Sequence, residues 1–180
     1  MLIITCSPKI RYSSWRIYVL HNIKMVIFDV DGVLSDGNIQ LDEHGNESKS
    51  FYVQDGTGIT YLQRAGIKTA IISGRKSKAV EYRARELSIE DVYLGVQRKL
   101  DAYEKILKKH KLQDHETCYI GDDLIDLPIL RRVGFSVAVP NARREVKESV
   151  TYLTEAHGGF GAIREVAEKI LKSQGKWETI

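Results

Sequence analysis

The sequence predicts an α/β fold: a doubly wound, Rossmann-like, mainly parallel sheet with a β-hairpin inserted after the first strand and no cap domain. Three observations predict it. Five apolar runs have the length and composition of buried strands: Met25–Val30, Ile67–Ile72, Asp91–Leu94, Thr117–Ile120 and Phe135–Val139. One-faced helical patterns separate them, and repeated β-α implies a parallel sheet covered on both faces. No insertion of 60–100 residues interrupts the alternation, which leaves no room for a separate cap. For such a sheet the expected strand order is 5-4-1-2-3.

Each element has its own justification. Met25–Val30 carries Asp29, and Asp31-Gly32 follow it. Chains do not bury unpaired carboxylates for packing. Two carboxylates at a strand exit therefore read as a divalent-cation site that presents one oxygen as a nucleophile, or else as a solvated turn. Gly37–Val53 breaks the rhythm, because Ile39, Leu41, Phe51 and Val53 alternate around Glu43-His-Gly-Asn46. That is the hairpin. Asp55–Ala65 follows as a helix with Ile59, Leu62 and Ala65 on one stripe, and Asp55 reads as its N-cap.

Ile67–Ile72 ends in Ser73-Gly74-Arg75, and the charged helix Lys76–Leu87 comes next. Asp91–Leu94 is followed by the helix Arg98–His110, with Lys99 at its start. Thr117–Ile120 ends in Gly121-Asp122-Asp123, where Asp123 can also cap Leu124–Val133. Phe135–Val139, Arg143–Ser149 and Ala162–Leu171 complete the order. Gly158-Gly-Phe-Gly161 reads as a weak phosphate loop or a flexible lead into the last helix, and His110 and His115 read as solvent-facing.

Composition narrows the function. With 180 residues and 43% hydrophobic content the chain supports one domain with one core. No apolar run approaches the ~20 residues that span a bilayer. Two cysteines, Cys6 and Cys118, do not make a disulfide framework, which fits a reducing, cytoplasmic setting. The first 24 residues hold four of the 27 basic residues and no acids, so the rest carries 23 basic against 24 acidic groups. The folded part thus has no basic excess to suggest nucleic acid. Three units are expected: residues 1–24 as a loose extension or upstream start, 25–174 as the catalytic domain, and 175–180 as a tail.

The four strand exits can converge, since neighbouring strands lie ~4.8 Å apart. Carboxylates from two exits suit Mg²⁺, and a hydroxyl, backbone N–H groups and an ammonium suit phosphoryl oxygens. Asp29-x-Asp31-Gly32-Val33, Ser73-Gly74, Lys99 and Gly121-Asp122-Asp123 resemble the four motifs of the haloacid dehalogenase superfamily. From about Ile23 to about Gly175 the match is closer. Phe28–Gly37, Ile72-Ser-Gly-Arg75, Gly121–Asp126 and Gly158–Glu165 resemble the capless 3-deoxy-D-manno-octulosonate 8-phosphate phosphatases.

The resemblance implies roles. Asp29 is the nucleophile and forms an aspartyl-phosphate. Asp31 is the acid/base. Mg²⁺ is held by Asp29, the Asp31 main-chain carbonyl and Asp122. Ser73 and Gly74 bind the phosphoryl group, with Lys99 adding charge and joining the catalytic set. Asp123 supports the metal shell or Lys99, and Asp126 does so more remotely. Arg75 suits a substrate carboxylate.

The resemblance also implies a small sugar phosphate as partner, a place in lipopolysaccharide biosynthesis, and a homotetramer whose neighbouring subunits line the active site. In that tetramer Ile39, Phe51 and Val53 are interface, and Gly158–Ile180 with Arg164 helps to close the site. Two other functions stay open: a phosphatase for another acidic sugar phosphate, such as a nine-carbon ulosonate 9-phosphate, and a phospho-accepting regulatory module without turnover. A retained base at Asp31 favours turnover over the module.

Overall fold

The computed structural model describes residues 19–180. Its main sheet is built from β1 (Met25–Phe28), β4 (Lys68–Ile72), β5 (Asp91–Tyr93), β6 (Thr117–Gly121), β7 (Phe135–Ala138) and β8 (Tyr152–Leu153). The strands lie in the order β5-β4-β1-β6-β7-β8, and every neighbouring pair is parallel. Counted over the five expected strands this is the order read from the sequence. The sixth, β8, is a two-residue edge strand, too short to show a pattern. The small hairpin β2 (Gln40–Leu41) and β3 (Glu47–Ser48) forms its own antiparallel pair after β1.

The helices are α1 (Val53–Arg64), α2 (Lys78–Glu86), α3 (Lys99–His110), α4 (Leu127–Leu130), α5 (Arg144–Ser149) and α6 (Ala162–Ser173). The sheet centre is dry. All four residues of β1 are fully buried, as are Ile71, Ile72, Tyr119 and Ile120. Sides that pack on both faces explain why these strands read as unbroken apolar runs. The chain runs β1, β4, β5 toward one edge and then jumps back to β6. The switch point therefore falls between β1 and β6, where doubly wound sheets open a crevice at their carboxyl ends.

Several local expectations change. The start expected for residues 1–24 lies mostly outside the described residues, but Leu20 and Ile23 are buried in the core. Gln174 on the far terminus donates to both of their carbonyls, at 2.9 and 2.8 Å. The packed domain thus reaches back before Met25. Cys6 lies outside the described residues, and Cys118 is buried in β6. His110 is not solvent-facing: its Nε2 sits 2.6 Å from Asp91 Oδ2. Asp55 does not cap its own helix. Its carboxylate, fully buried, accepts from the backbone N–H of Gly161 and Arg164 at 3.1 and 2.9 Å, and so caps α6 across the domain.

The C-terminal segment packs on its own subunit. Trp177 meets Tyr61 edge-on with ring centroids 6.0 Å apart. The Arg164 guanidinium lies 4.9 Å from the Tyr61 ring and 5.3 Å from the Trp177 ring, and pairs with Glu168. Arg164 therefore anchors the tail within its own subunit. Phe51, expected at an interface, is half-buried against the core beneath Arg83. Ile39 and Val53 are exposed.

Candidate active site

Parallel register carries the motifs to one edge of the sheet. Phe28 pairs with Ile71 on one side and Ile120 on the other, so Asp29 leaves the sheet between Ile72, just before Ser73, and Gly121. The Asp29 N–H still donates to Ile120 O, at 3.0 Å. Beyond it the chain makes a wide turn over Val30–Leu34, closed by Ser35 N–H to Val30 O at 2.9 Å. Gly32 takes φ +91° in that turn, and a Cβ there would stand 2.2 Å from Asp122 Oδ2. Only a glycine lets the Asp122 carboxylate lie against this backbone.

The turn is braced from the other end of the chain. Asn141 Nδ2 donates to Gly32 O at 2.8 Å while its Oδ1 accepts from Gly158 N–H at 2.9 Å. Gly159 N–H donates to Val33 O. A Cβ on Gly158 would stand 1.7 Å from Gly32 O. The Gly158–Gly161 segment is thus a backbone brace for the first motif, neither a phosphate loop nor a loose lead into α6.

At the centre Lys99, the first residue of α3, is buried among carboxylates. Its Nζ lies 2.8 Å from Asp29 Oδ2 and 2.8 Å from Asp126 Oδ1, with the side chain 1% exposed. Asp126 is saturated. Its Oδ1 also accepts from Tyr119 OH at 2.6 Å, and its Oδ2 accepts from the N–H groups of Asp122 and Asp123 at 3.0 and 3.2 Å. Asp123 is exposed and its Oδ1 accepts from Leu124 N–H at 2.7 Å, which caps the turn that begins there. Asp123 and Asp126 therefore exchange the places expected from the sequence. The buried support of Lys99 is Asp126.

Asp29, Asp122 and Asp126 bring ligand oxygens within 4.8 Å of one another. Asp29 Oδ1 and Asp122 Oδ1 are buried and have no hydrogen-bond partner. A buried carboxylate oxygen without a partner is costly. Burial pushes the Asp29 carboxyl up to about 7; Lys99 pulls it back and Asp126 adds to the rise. Burial, with Asp29 and Asp126 beside it, pushes Asp122 up to about 8. Burial works against the Lys99 charge, but Asp29 and Asp126 outweigh it and hold its pKa above the ordinary lysine value. One buried ammonium does not neutralise three carboxylates, and the two free oxygens fit a hard cation such as Mg²⁺.

The Asp31 carboxylate is not in this group. It turns toward the hairpin, where Lys49 Nζ bonds its Oδ1 and Arg75 Nε lies 3.9 Å from its Oδ2. Any share in the metal thus falls to the Asp31 main chain. Arg75 also bonds Glu47 Oε2, so the group expected to await a substrate carboxylate already holds the chain's own carboxylates. Ser73 is buried at the end of β4, and its Oγ accepts from Arg75 N–H at 3.3 Å. Gly74 beside it is exposed. The sequence reading missed Glu47, Lys49 and Asn141. Glu47, Lys49 and Phe51 stand two apart, the spacing that puts residues on one face of a strand.

A family model described as haloacid dehalogenase-like hydrolase matches residues 95–165. Over 155 residues the chain is 45% identical to 3-deoxy-D-manno-octulosonate 8-phosphate phosphatase of Escherichia coli strain K12, across 86% of this chain and 82% of that one. The chain belongs to this phosphatase family. It is accordingly a phosphatase of the haloacid dehalogenase-like class.

Solved members of the family share the whole fold. The Moraxella catarrhalis 3-deoxy-D-manno-octulosonate 8-phosphate phosphatase, in complex with a magnesium ion, a phosphate ion and a KDO molecule, gives a TM-score of 0.90 at 42% identity, over 93% of this chain and 96% of that one. The cobalt-bound Haemophilus influenzae deoxy-D-mannose-octulosonate 8-phosphate phosphatase gives 0.85 at 44% identity, over 88% and 92%. Among the described residues of this chain no helix is long and apolar enough to cross a membrane.

Proposed function

We propose that this protein is a Mg²⁺-dependent phosphatase that converts 3-deoxy-D-manno-octulosonate 8-phosphate to the free sugar acid and phosphate, through an aspartyl-phosphate. The observation that carries the reading is the buried Lys99 between Asp29 and Asp126, beside two carboxylate oxygens that have no partner. This is a site built for one cation and one phosphoryl group.

Asp29 attacks phosphorus, the bond from phosphorus to the sugar oxygen breaks, and Asp31 gives a proton to the leaving alkoxide. Asp31 then takes a proton from the water that attacks phosphorus, phosphate leaves, and Asp29 is regenerated. Ser73 and the Gly74 N–H hold phosphoryl oxygens, and Lys99 adds fixed positive charge where the transition state carries negative charge. A Mg²⁺ held by Asp29, Asp122 and the Asp31 main-chain carbonyl would supply further charge compensation between nucleophile and phosphate.

The substrate and setting rest on the similarity to the Escherichia coli and Moraxella proteins. From the family resemblance of the sequence motifs we further propose a place in lipopolysaccharide biosynthesis in the cytoplasm, as a homotetramer. Exposed Ile39 and Leu41 on the hairpin, with Val53 and Phe160, supply apolar surface that a neighbouring subunit would cover.

Phosphate release across a panel of sugar phosphates tests the function. With Mg²⁺ the octulosonate 8-phosphate should give the highest kcat/KM, and chelation should abolish release. A preference for a nine-carbon ulosonate 9-phosphate would reassign the substrate. Stoichiometric phosphorylation of the protein without release of phosphate would overturn the reading.

A further inference from the structure

We propose that Lys49 is a positioning residue that holds Asp31 on the leaving-group side of the site, so that the hairpin sets where the proton donor stands. The inference rests on the phosphatase reading above. It starts from a contrast. Asp31 lies two residues from Asp29 on the same turn, yet its carboxylate is absent from the group formed by Asp29, Asp122 and Asp126. Something holds it away.

Lys49 is placed to do so. Its Nζ bonds Asp31 Oδ1 and lies 3.4 Å from Glu47 Oε1. Arg75 completes a closed ring, with Nη2 on Glu47 and Nε 3.9 Å from Asp31 Oδ2. Two cations and two carboxylates thus alternate between the hairpin, the first turn and the exit of β4. The Lys49 side chain is 1% exposed, against 22% for Asp31 and 16% for Glu47. Lysines on two-stranded surface hairpins ordinarily keep their ammonium in water, and burying one is costly unless it is paired.

The pairing does little for the core. β2 and β3 have two residues each, and both residues of β2 are exposed. What the buried ammonium does fix is the direction of the Asp31 carboxylate. A general acid must be within hydrogen-bond reach of the atom it protonates, and displacement by about 1 Å can cost ~10²-fold. The ring also connects the hairpin to Arg75, so a change in the hairpin moves the acid and Arg75 together.

The test separates positioning from scaffolding by leaving group. Protonation matters for a sugar alkoxide and little for 4-nitrophenolate, and kcat/KM reports events up to leaving-group departure. Lys49→Met is expected to lower kcat/KM for the sugar phosphate on the order of 30-fold, within the range of general acid catalysis, and that for 4-nitrophenyl phosphate by no more than about threefold. Lys49→Arg, which keeps a cation facing Asp31, is expected to recover most of the sugar-phosphate rate. Equal losses on both substrates, or none on either, would overturn the inference and leave the phosphatase reading standing. If K49M does not fold, the same ratio is read on Lys49→Gln. A wild-type protein inactive on both substrates would overturn both readings.

Discussion

Asp29→Asn is expected to lower turnover by at least about 10⁴-fold while the fold stays intact. An amide is nearly isosteric with the carboxylate but cannot attack phosphorus. The substitution also tests the electrostatics of the site. The Asp29 and Asp122 carboxyls stand near 7 and 8 in the folded protein, against 3.8 for the ordinary group. Raised values mean that the folded state holds protons the unfolded chain has released. Stability from this source is fully present below about pH 4 and is lost as the pH climbs to about 8. Metal-free wild-type protein should therefore melt at falling temperature across that window. D29N removes one crowded charge and should show a shallower fall. Mg²⁺ should raise the melting temperature of the wild type near pH 8 and raise that of D29N less. Equal pH slopes for the two proteins would contradict the charge crowding described here.

Lys99→Met should be the most damaging change to stability and should also lower activity, though less than Asp29→Asn does. Lys99 is the one ammonium that bridges Asp29 and Asp126 at 2.8 Å each, and it is buried. Removing one partner of a buried ion pair leaves an uncompensated charge and costs about 3–5 kcal/mol. Here it leaves three carboxylates close together. Turnover should fall on the order of 10²–10³-fold, the cost of losing one preorganised charge at a transition state. Adding Asp126→Asn to K99M should recover part of the stability, because residues in one network do not act additively. Urea unfolding of both single variants and the double variant measures this. Strict additivity would mean that Lys99 and Asp126 act independently, against the contact described.

The sequence showed the framework because its physics is local. Strands buried on both faces read as apolar runs, and the catalytic groups follow those runs directly. β8 escaped because two residues carry no period. The sequence does not rank Asp123 against Asp126 correctly, since both lie beside the same motif. Only the tertiary meeting of Asp126 with Lys99 and Tyr119 distinguishes them. Asp55 looked like a local cap and instead caps a helix more than a hundred residues away. The packing of Arg164 on Tyr61 and Trp177 is not legible either, because the two rings come from distant elements. Lys49 was overlooked because a hairpin lysine is ordinarily solvated, although Glu47, Lys49 and Phe51 share the spacing of one strand face.

The central claim is that Asp29 is phosphorylated by the sugar phosphate and that Asp31 is needed to release it. Acid-quenching Asp31→Asn after mixing with ³²P-labelled 3-deoxy-D-manno-octulosonate 8-phosphate and Mg²⁺, then mapping the labelled peptide, tests it directly. The expected result is base-labile label that builds up slowly on the peptide holding Asp29, with release of phosphate slower still. Wild-type turnover by D31N, or its release of phosphate with no label on Asp29, would contradict the claim.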